Sequence, residues 1–310
     1  MSNLLIYGDL HIKKEELKEC ILVLEEIGML CNKHEVSHVI NLGDTFDVLK
    51  PESECLDVFS TFINRLNKPM IILAANSHES TTQEHSIVNH FGILNNNITV
   101  VKEYIDETFL YCGHFILNES KHNYGAKLGK KDLEQYKLVY LGHEHTHQII
   151  KPNICHLGSC RWIDFAESQD KAKVVCLIQN YKEKEQKIHF IALKSPYPMV
   201  DVHLHEKTLL GACGEEIQGR FEAYLDKLDP NTKIRLVFHD FQSYTQVIHS
   251  LEKYKNKFVL FKEKKEFIIS DLALRTPKTE TSSLKESLTK YLEDNKIDDN
   301  IKQILLEEIK

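Results

Sequence analysis

The feature that most constrains this chain is a phrase it repeats: a short apolar run that ends on a turn and a side chain able to ligate a metal. It occurs as LLIYGDLH (4–11), HVINLGDTFD (38–47), MIILAANSH (70–78), FLYCGH (109–114) and LVYLGHEH (138–145). Between the early repeats lie KKEELKECILVLEEIGMLCNKH (13–34) and SECLDVFSTFINRLN (53–67), whose apolar residues recur at three and four positions. Strand runs alternating with amphipathic helices predict an α/β layered fold. In such a fold, side chains at the carboxyl ends of neighbouring strands converge on one rim. Taken singly, a GD or GH after an apolar run is common by chance. Five in order, with helices between, are not.

The side chains involved are Asp9, His11, Asp44, Asn76, His78, His114, His143 and His145. Mixed carboxylate, imidazole and amide ligands suit Mn²⁺, Fe²⁺ or Zn²⁺ better than Ca²⁺, which prefers oxygen cages. Two such ions about 3.5–4 Å apart bridge a phosphate and serve in-line attack by water. Phosphoryl transfer then needs positioning and charge neutralisation, plus a proton donor for the leaving oxygen.

Bulk properties fit this reading. The chain has 310 residues, 27% of them charged, a net charge of −7 and 8 scattered Cys. No apolar stretch approaches the roughly 20 residues of a membrane helix. The N-terminus reaches acidic and His residues too early for a signal peptide. Thiols without disulfide spacing predict a cytoplasmic protein with no membrane association. The acidic balance argues against a general nucleic-acid coat while leaving room for a local basic groove.

The order GDxH, GDxxD, a GNH-like loop, GH and GHxH resembles the calcineurin-like metallophosphoesterase superfamily, over residues 1 to about 195. Within it, GDTFDVLKP and the crossing SPYPMVDVHLH are most similar to the DNA-repair nucleases of the SbcD type, with bacterial, archaeal, eukaryotic and phage counterparts. The resemblance implies a four-layer sandwich of two mixed sheets flanked by helices, with a small α/β cap. It implies that Asp9, His11, Asp44 and His145 hold one divalent ion, and that Asp44 bridges to a second completed by Asn76, His114 and His143. Mn²⁺ is the first expectation, ahead of Fe²⁺, Zn²⁺ and Mg²⁺. Gly158 and Ser159 fit the Gly-Ser turn that follows GHxH in the superfamily. The implied activity is hydrolysis of DNA phosphodiesters, by exonuclease or endonuclease action in repair and recombination. The implied partners are DNA, an SbcC-type coiled-coil ATPase docked on C-terminal helices, and a second copy of the chain.

Two departures bear on turnover. Several members carry a His where Asp47 stands, which puts strong double-strand exonuclease action in question while leaving Asp47 a candidate catalytic residue. In AANSHES, either Ser77 is inserted and His78 remains the catalytic His ahead of Glu79, or Ser77 replaces that His. A third, gapless alignment, with Ser77 at the metal, leaves Asn76 unused. Ala75 in place of Gly stiffens the turn.

The expected domains are a catalytic domain over 1–195, an α/β cap over 196–274 with a β-α-β-α-β pattern, a polar linker over 275–283, and terminal helices over 284–310. The runs near 109–114, 138–142, 154–159, 173–180 and 187–194 predict a second, more antiparallel sheet. KLGKK, through Lys127 and Lys130, is the basic loop best placed for DNA phosphates, and Arg161 is a candidate phosphate contact beside the default reading of an ordinary surface charge. Competing functions are a small-substrate phosphodiesterase or phosphatase of the same superfamily, and a metal-binding scaffold with little turnover.

Overall fold

The structure is a computed structural model that describes residues 2–75, 86–117, 127–128, 133–204 and 214–265, with Thr289 and Glu293. The chain divides into two compact units, Met1–Tyr197 and Pro198–Lys310.

In the first unit, β1 (Asn3–Tyr7), β2 (Val36–Asn41), β3 (Met70–Leu73) and β4 (Ile98–Val101) pair in parallel. Their connections include α1 (Leu17–Lys33), α2 (Ser53–Leu66) and the short α3 (Asn89–Leu94). A second sheet contains β5 (Tyr104–Asp106), β6 (Leu110–His114), β9 (Leu138–Gly142), β10 (Gln148–Lys151) and β11 (Ile154–His156), in the order β10-β11-β9-β6-β5. Between β6 and β9 in sequence, β7 (Ile116–Leu117) and β8 (Lys127–Leu128) form a small parallel pair.

Two-residue periodicity explains the layering. On β1, Leu5 and Tyr7 join the core shared with α1 and α2, whereas Leu4 and Ile6 join the core shared with the second sheet. On β9, Leu138 and Tyr140 face the first sheet, and Val139 and Leu141 join an apolar cluster on the other side. The helices contribute one stripe each: Cys20, Val23, Leu24, Ile27 and Cys31 from α1, and Cys55, Phe59, Phe62, Ile63 and Leu66 from α2. This is a mixed α/β sandwich, as expected.

One expectation is corrected. The hairpin of β12 (Val174–Gln179) and β13 (Lys187–Ala192) extends the first sheet, with β12 antiparallel to β1, rather than the second. The centre of the second sheet, β6-β9-β11, is parallel. The physical reason lies in β12, whose Val175 and Leu177 reach the helix-side core while Cys176 and Ile178 reach the inter-sheet core. A strand apolar on both sides fits beside β1, where both faces are covered.

The second unit contains a three-stranded parallel sheet, β14 (Met199–Leu204), β15 (Lys233–Phe238) and β16 (Leu260–Lys265), connected through α4 (Gly214–Lys227) and α5 (Phe241–Lys255). Its core includes Leu225, Ile234, Leu236, Phe238, Val247 and Tyr254, all fully or almost fully buried. Arg235 donates two hydrogen bonds to Asp201 across the β14/β15 register. The linker expected at 275–283 and the helices expected at 284–310 lie outside the described residues, apart from Thr289 and Glu293.

Candidate metal centre

Each ligand sits where a strand gives way to a turn. After β1, the main chain of residues 9–12 is stitched to the loop after β2: Leu10 N and His11 N both donate to Asp44 O, and Ile12 N donates to Thr45 O. His11, Asp44 and His143 all have left-handed backbone conformations, at φ 49°, 44° and 81°. A non-glycine residue there is strained and persists only where its surroundings over-determine it. Three such residues in one place mark a backbone bent to aim side chains. Gly142 matters for a different reason, since a Cβ there would stand 2.8 Å from Asp9 Oδ1, His114 Nδ1 and Leu42 O alike. The gap it leaves is what lets β9 approach the other ligands.

Two clusters result, Asp9–His11–His145 and Asp44–His114–His143, each with its ligand atoms within 4.8 Å of one another. They adjoin: His11 Nε2 is 3.6 Å from Asp44 Oδ2, and His114 Nδ1 is 3.8 Å from Asp9 Oδ1. His114 Nε2 lies 3.2 Å from Asp44 Oδ2, and His143 N donates to Asp9 Oδ2 at 2.9 Å.

The residues fit a divalent ion on three counts. Asp9 is completely buried, and its Oδ1 accepts no hydrogen bond. A buried carboxylate oxygen left so is costly unless a cation meets it. Second, His11 Nε2 and His145 Nε2 face each other at 3.1 Å, while their Nδ1 atoms face Asp47 Oδ1 at 3.2 Å and Glu167 Oε1 at 3.0 Å. With hydrogens on both Nδ1 atoms, two lone pairs meet at the centre, an arrangement relieved by a cation. Ligands at about 2.1 Å from a common ion stand about 3.0–3.4 Å apart. Third, the donor set of nitrogen and carboxylate oxygen is that of a transition-metal site.

The local field points the same way. Burial opposes charge on His114, yet Asp44 and Asp9 outweigh it and raise its pKa to about 9. His145 is likewise raised, burial being overcome by Glu167 and Asp9. His143 is lowered by burial and by the charge of His114, and His156, behind the rim, falls to about 4 through burial.

Of the seven expected metal ligands, six are therefore gathered on one rim, and Asn76 lies outside the described residues together with His78. Asp47, 29% exposed, has its carboxylate against His11. Lys127 lies on β8 rather than in a loop, and Lys130 is outside the described residues.

Arg161 departs from expectation. It is fully buried, with Nε donating to Leu10 O at 2.6 Å, Nη2 to His11 O at 2.6 Å, and Nη1 paired to Glu16 and to Glu19. It braces the ligand loop from behind instead of reaching a substrate phosphate. A guanidinium with five fixed donors suits a pocket of two carbonyls and two carboxylates.

Sequence reasoning missed Glu167 and Lys173. Asp164-Phe-Ala-Glu167 reads as a capping box, and the box is present: Asp164 Oδ1 accepts from Ala166 N and Glu167 Oε1 from Asp164 N. That local role conceals the bond to His145.

No protein-family profile matches the chain, and no curated protein does. Among solved structures, it is similar to the nuclease MPE of Pseudomonas putida, at 20% identity and a TM-score of 0.29, over 49% of this chain and 66% of that one. It is also similar to the hypothetical protein PH1004 of Pyrococcus horikoshii, at 10% identity and a TM-score of 0.38, over 72% of this chain and 94% of that one. The chain thus spans just under two thirds of the Pseudomonas nuclease. Among the described residues no helix is long and apolar enough to cross a membrane.

Proposed function

We propose that this chain is a divalent-metal-dependent phosphodiesterase that cleaves DNA, working as the nuclease subunit of an SbcCD-like repair or recombination complex. The observation that carries the metal-dependent reading is the pair of adjoining His/Asp clusters, built from residues as distant in sequence as His11 and His145. The DNA substrate rests on the motif order, on GDTFDVLKP and on the presence of a second α/β unit, for which a small-ester hydrolase has no evident need.

In this reading Asp9, His11, Asp44 and His145 would hold one ion, Mn²⁺ first, and Asp44, His114, His143 and Asn76 would hold the other. Bound ions supply charge neutralisation on the phosphoryl group and activation of a water. The chain's own residues do the rest. Asp44 lies between the clusters and fixes their spacing. Arg161 holds the carbonyls of residues 10 and 11, so the ligands of the first cluster do not shift when substrate charge arrives. His78 protonates the leaving oxygen, and Asp47 acts through His11. A coiled-coil ATPase docks on the segment 284–310, the working form is a homodimer, and the compartment is the cytoplasm.

The test is cleavage of labelled single-stranded and hairpin DNA, and of bis-p-nitrophenyl phosphate, with Mn²⁺ and with chelator. Metal-dependent DNA cleavage is expected. Cleavage of the small ester alone overturns the nuclease assignment, and metal binding with cleavage of neither leaves a scaffold.

A further inference from the structure

Glu167 is 2% exposed and lies at the end of a short 3-10 turn, Phe165–Glu167. Four donors converge on its carboxylate, with a hydroxyl beside them. Oε1 accepts from His145 Nδ1 at 3.0 Å, Asp164 N at 3.1 Å and Ile163 N at 3.2 Å. Oε2 is paired with Lys173 Nζ and lies 2.9 Å from Ser159 Oγ, whose single hydrogen has a nearer acceptor in Arg161 O at 2.7 Å. The group therefore serves only as an acceptor, and the buried Lys173 supplies its counter-charge. Lys173 is itself committed, donating also to Asp170 Oδ2 at 2.8 Å and His145 O at 3.2 Å. The group His145–Asp164–Glu167 has ligand spacing of its own. An ammonium already bonded to Glu167 argues against a third ion there.

An acceptor-only carboxylate settles which ring nitrogen of His145 carries hydrogen. It must be Nδ1, which leaves the lone pair on Nε2, facing Asp9 and His11. We propose that Glu167, with Lys173 as its counter-ion, is a positioning residue that holds His145 in this tautomer and aims it into the Asp9–His11–His145 cluster. The inference rests on the metal-dependent reading above. The bland alternative is that Glu167 merely caps a turn and pins residues 158–173.

A double-mutant cycle separates the two. Mn²⁺ binding to the full chain is measured by calorimetry and by electron paramagnetic resonance for the parent, Glu167→Gln, His145→Ala and the double variant. A Gln must present its NH₂ to either His145 or Lys173, both donors, so at least one contact is lost. The expected result is a 10–100-fold weaker ion at one site, the usual cost of an outer-shell partner. The other site is unchanged, and Glu167→Gln has no added effect once His145 is Ala. Unchanged affinity in Glu167→Gln, or an equal loss in both backgrounds, overturns the proposal. Should Glu167→Gln fail to fold, Glu167→Asp keeps the charge but withdraws the carboxylate from His145 Nδ1 by one methylene. It is expected to weaken the same site by less than about tenfold, and no change there overturns the proposal as well. A parent that binds Mn²⁺ but leaves DNA intact sinks the nuclease assignment alone. A parent that binds no divalent ion sinks both.

Discussion

The two ligand clusters are built from similar side chains but are held differently. Behind the first, both imidazoles are backed by carboxylates, His11 by Asp47 and His145 by Glu167, and the loop carbonyls are clamped by buried Arg161. Behind the second, His114 Nδ1 is bonded to a main-chain carbonyl, Leu42 O, at 2.7 Å. His143 is oriented through its own strained backbone and its N–H to Asp9. A carboxylate behind an imidazole raises its basicity, whereas a carbonyl chiefly fixes its direction. The first cluster is thus expected to retain its ion more tightly, and the second to exchange it more readily.

The sharpest way to break that contrast is Arg161→Ala. It removes the buried guanidinium that Glu16 and Glu19 share and releases the loop behind His11, so unfolding in denaturant should show a loss of about 3–5 kcal/mol. Ion loss should fall on the first cluster. Next comes Asp44→Asn, which stands between the clusters. Mn²⁺ binding should weaken by more than about 100-fold, beyond the range of outer-shell changes, and at both sites rather than one. An effect confined to one site would show that the clusters are independent. Asp47→Asn should cost about tenfold in affinity at the first site, the low end of the range, because Asp47 is partly exposed.

The smallest effect is in pH. His114 is raised from an ordinary 6.5 to about 9 by Asp44 and Asp9 against burial. Its contribution to metal-free stability is complete below pH 6.5 and is lost as pH rises to about 9. Metal uptake at the second cluster must displace that proton, so calorimetry in buffers of different ionisation heat should detect proton release below pH 9. Affinity at that site should climb with pH and level off near 9.

Much of this was legible in the sequence, for a reason that also marks its limit. Asp9, His11, Asp44, His114, His143 and His145 announce themselves because strand ends punctuated by Gly and Asp expose both location and chemistry. The same is true of α1 and α2, whose buried stripes follow their helical spacing. Arg161 and Glu167 were not legible, since each acts through contacts with residues at least 22 and as many as 151 positions away on the ligand loops. Local pattern gave Arg161 a surface role and did not single out Glu167. The placement of β12 and β13 failed similarly: their apolar character specifies strands, but which sheet receives them depends on an open edge beside β1.

The spread of the ligands along the chain has a consequence for biosynthesis. His11 meets His145 across 134 positions, and His145 gains its carboxylate only when residue 167 arrives. Contacts of such long range close late in folding. A nascent chain on the ribosome therefore carries Asp9, His11 and Asp44 for most of the synthesis of the first unit with no competent site. Both clusters are completed only after the strands bearing residues 138–145 have docked. A shortened chain ending before residue 138 should be indifferent to Mn²⁺, since both clusters stay incomplete until the first unit is nearly whole.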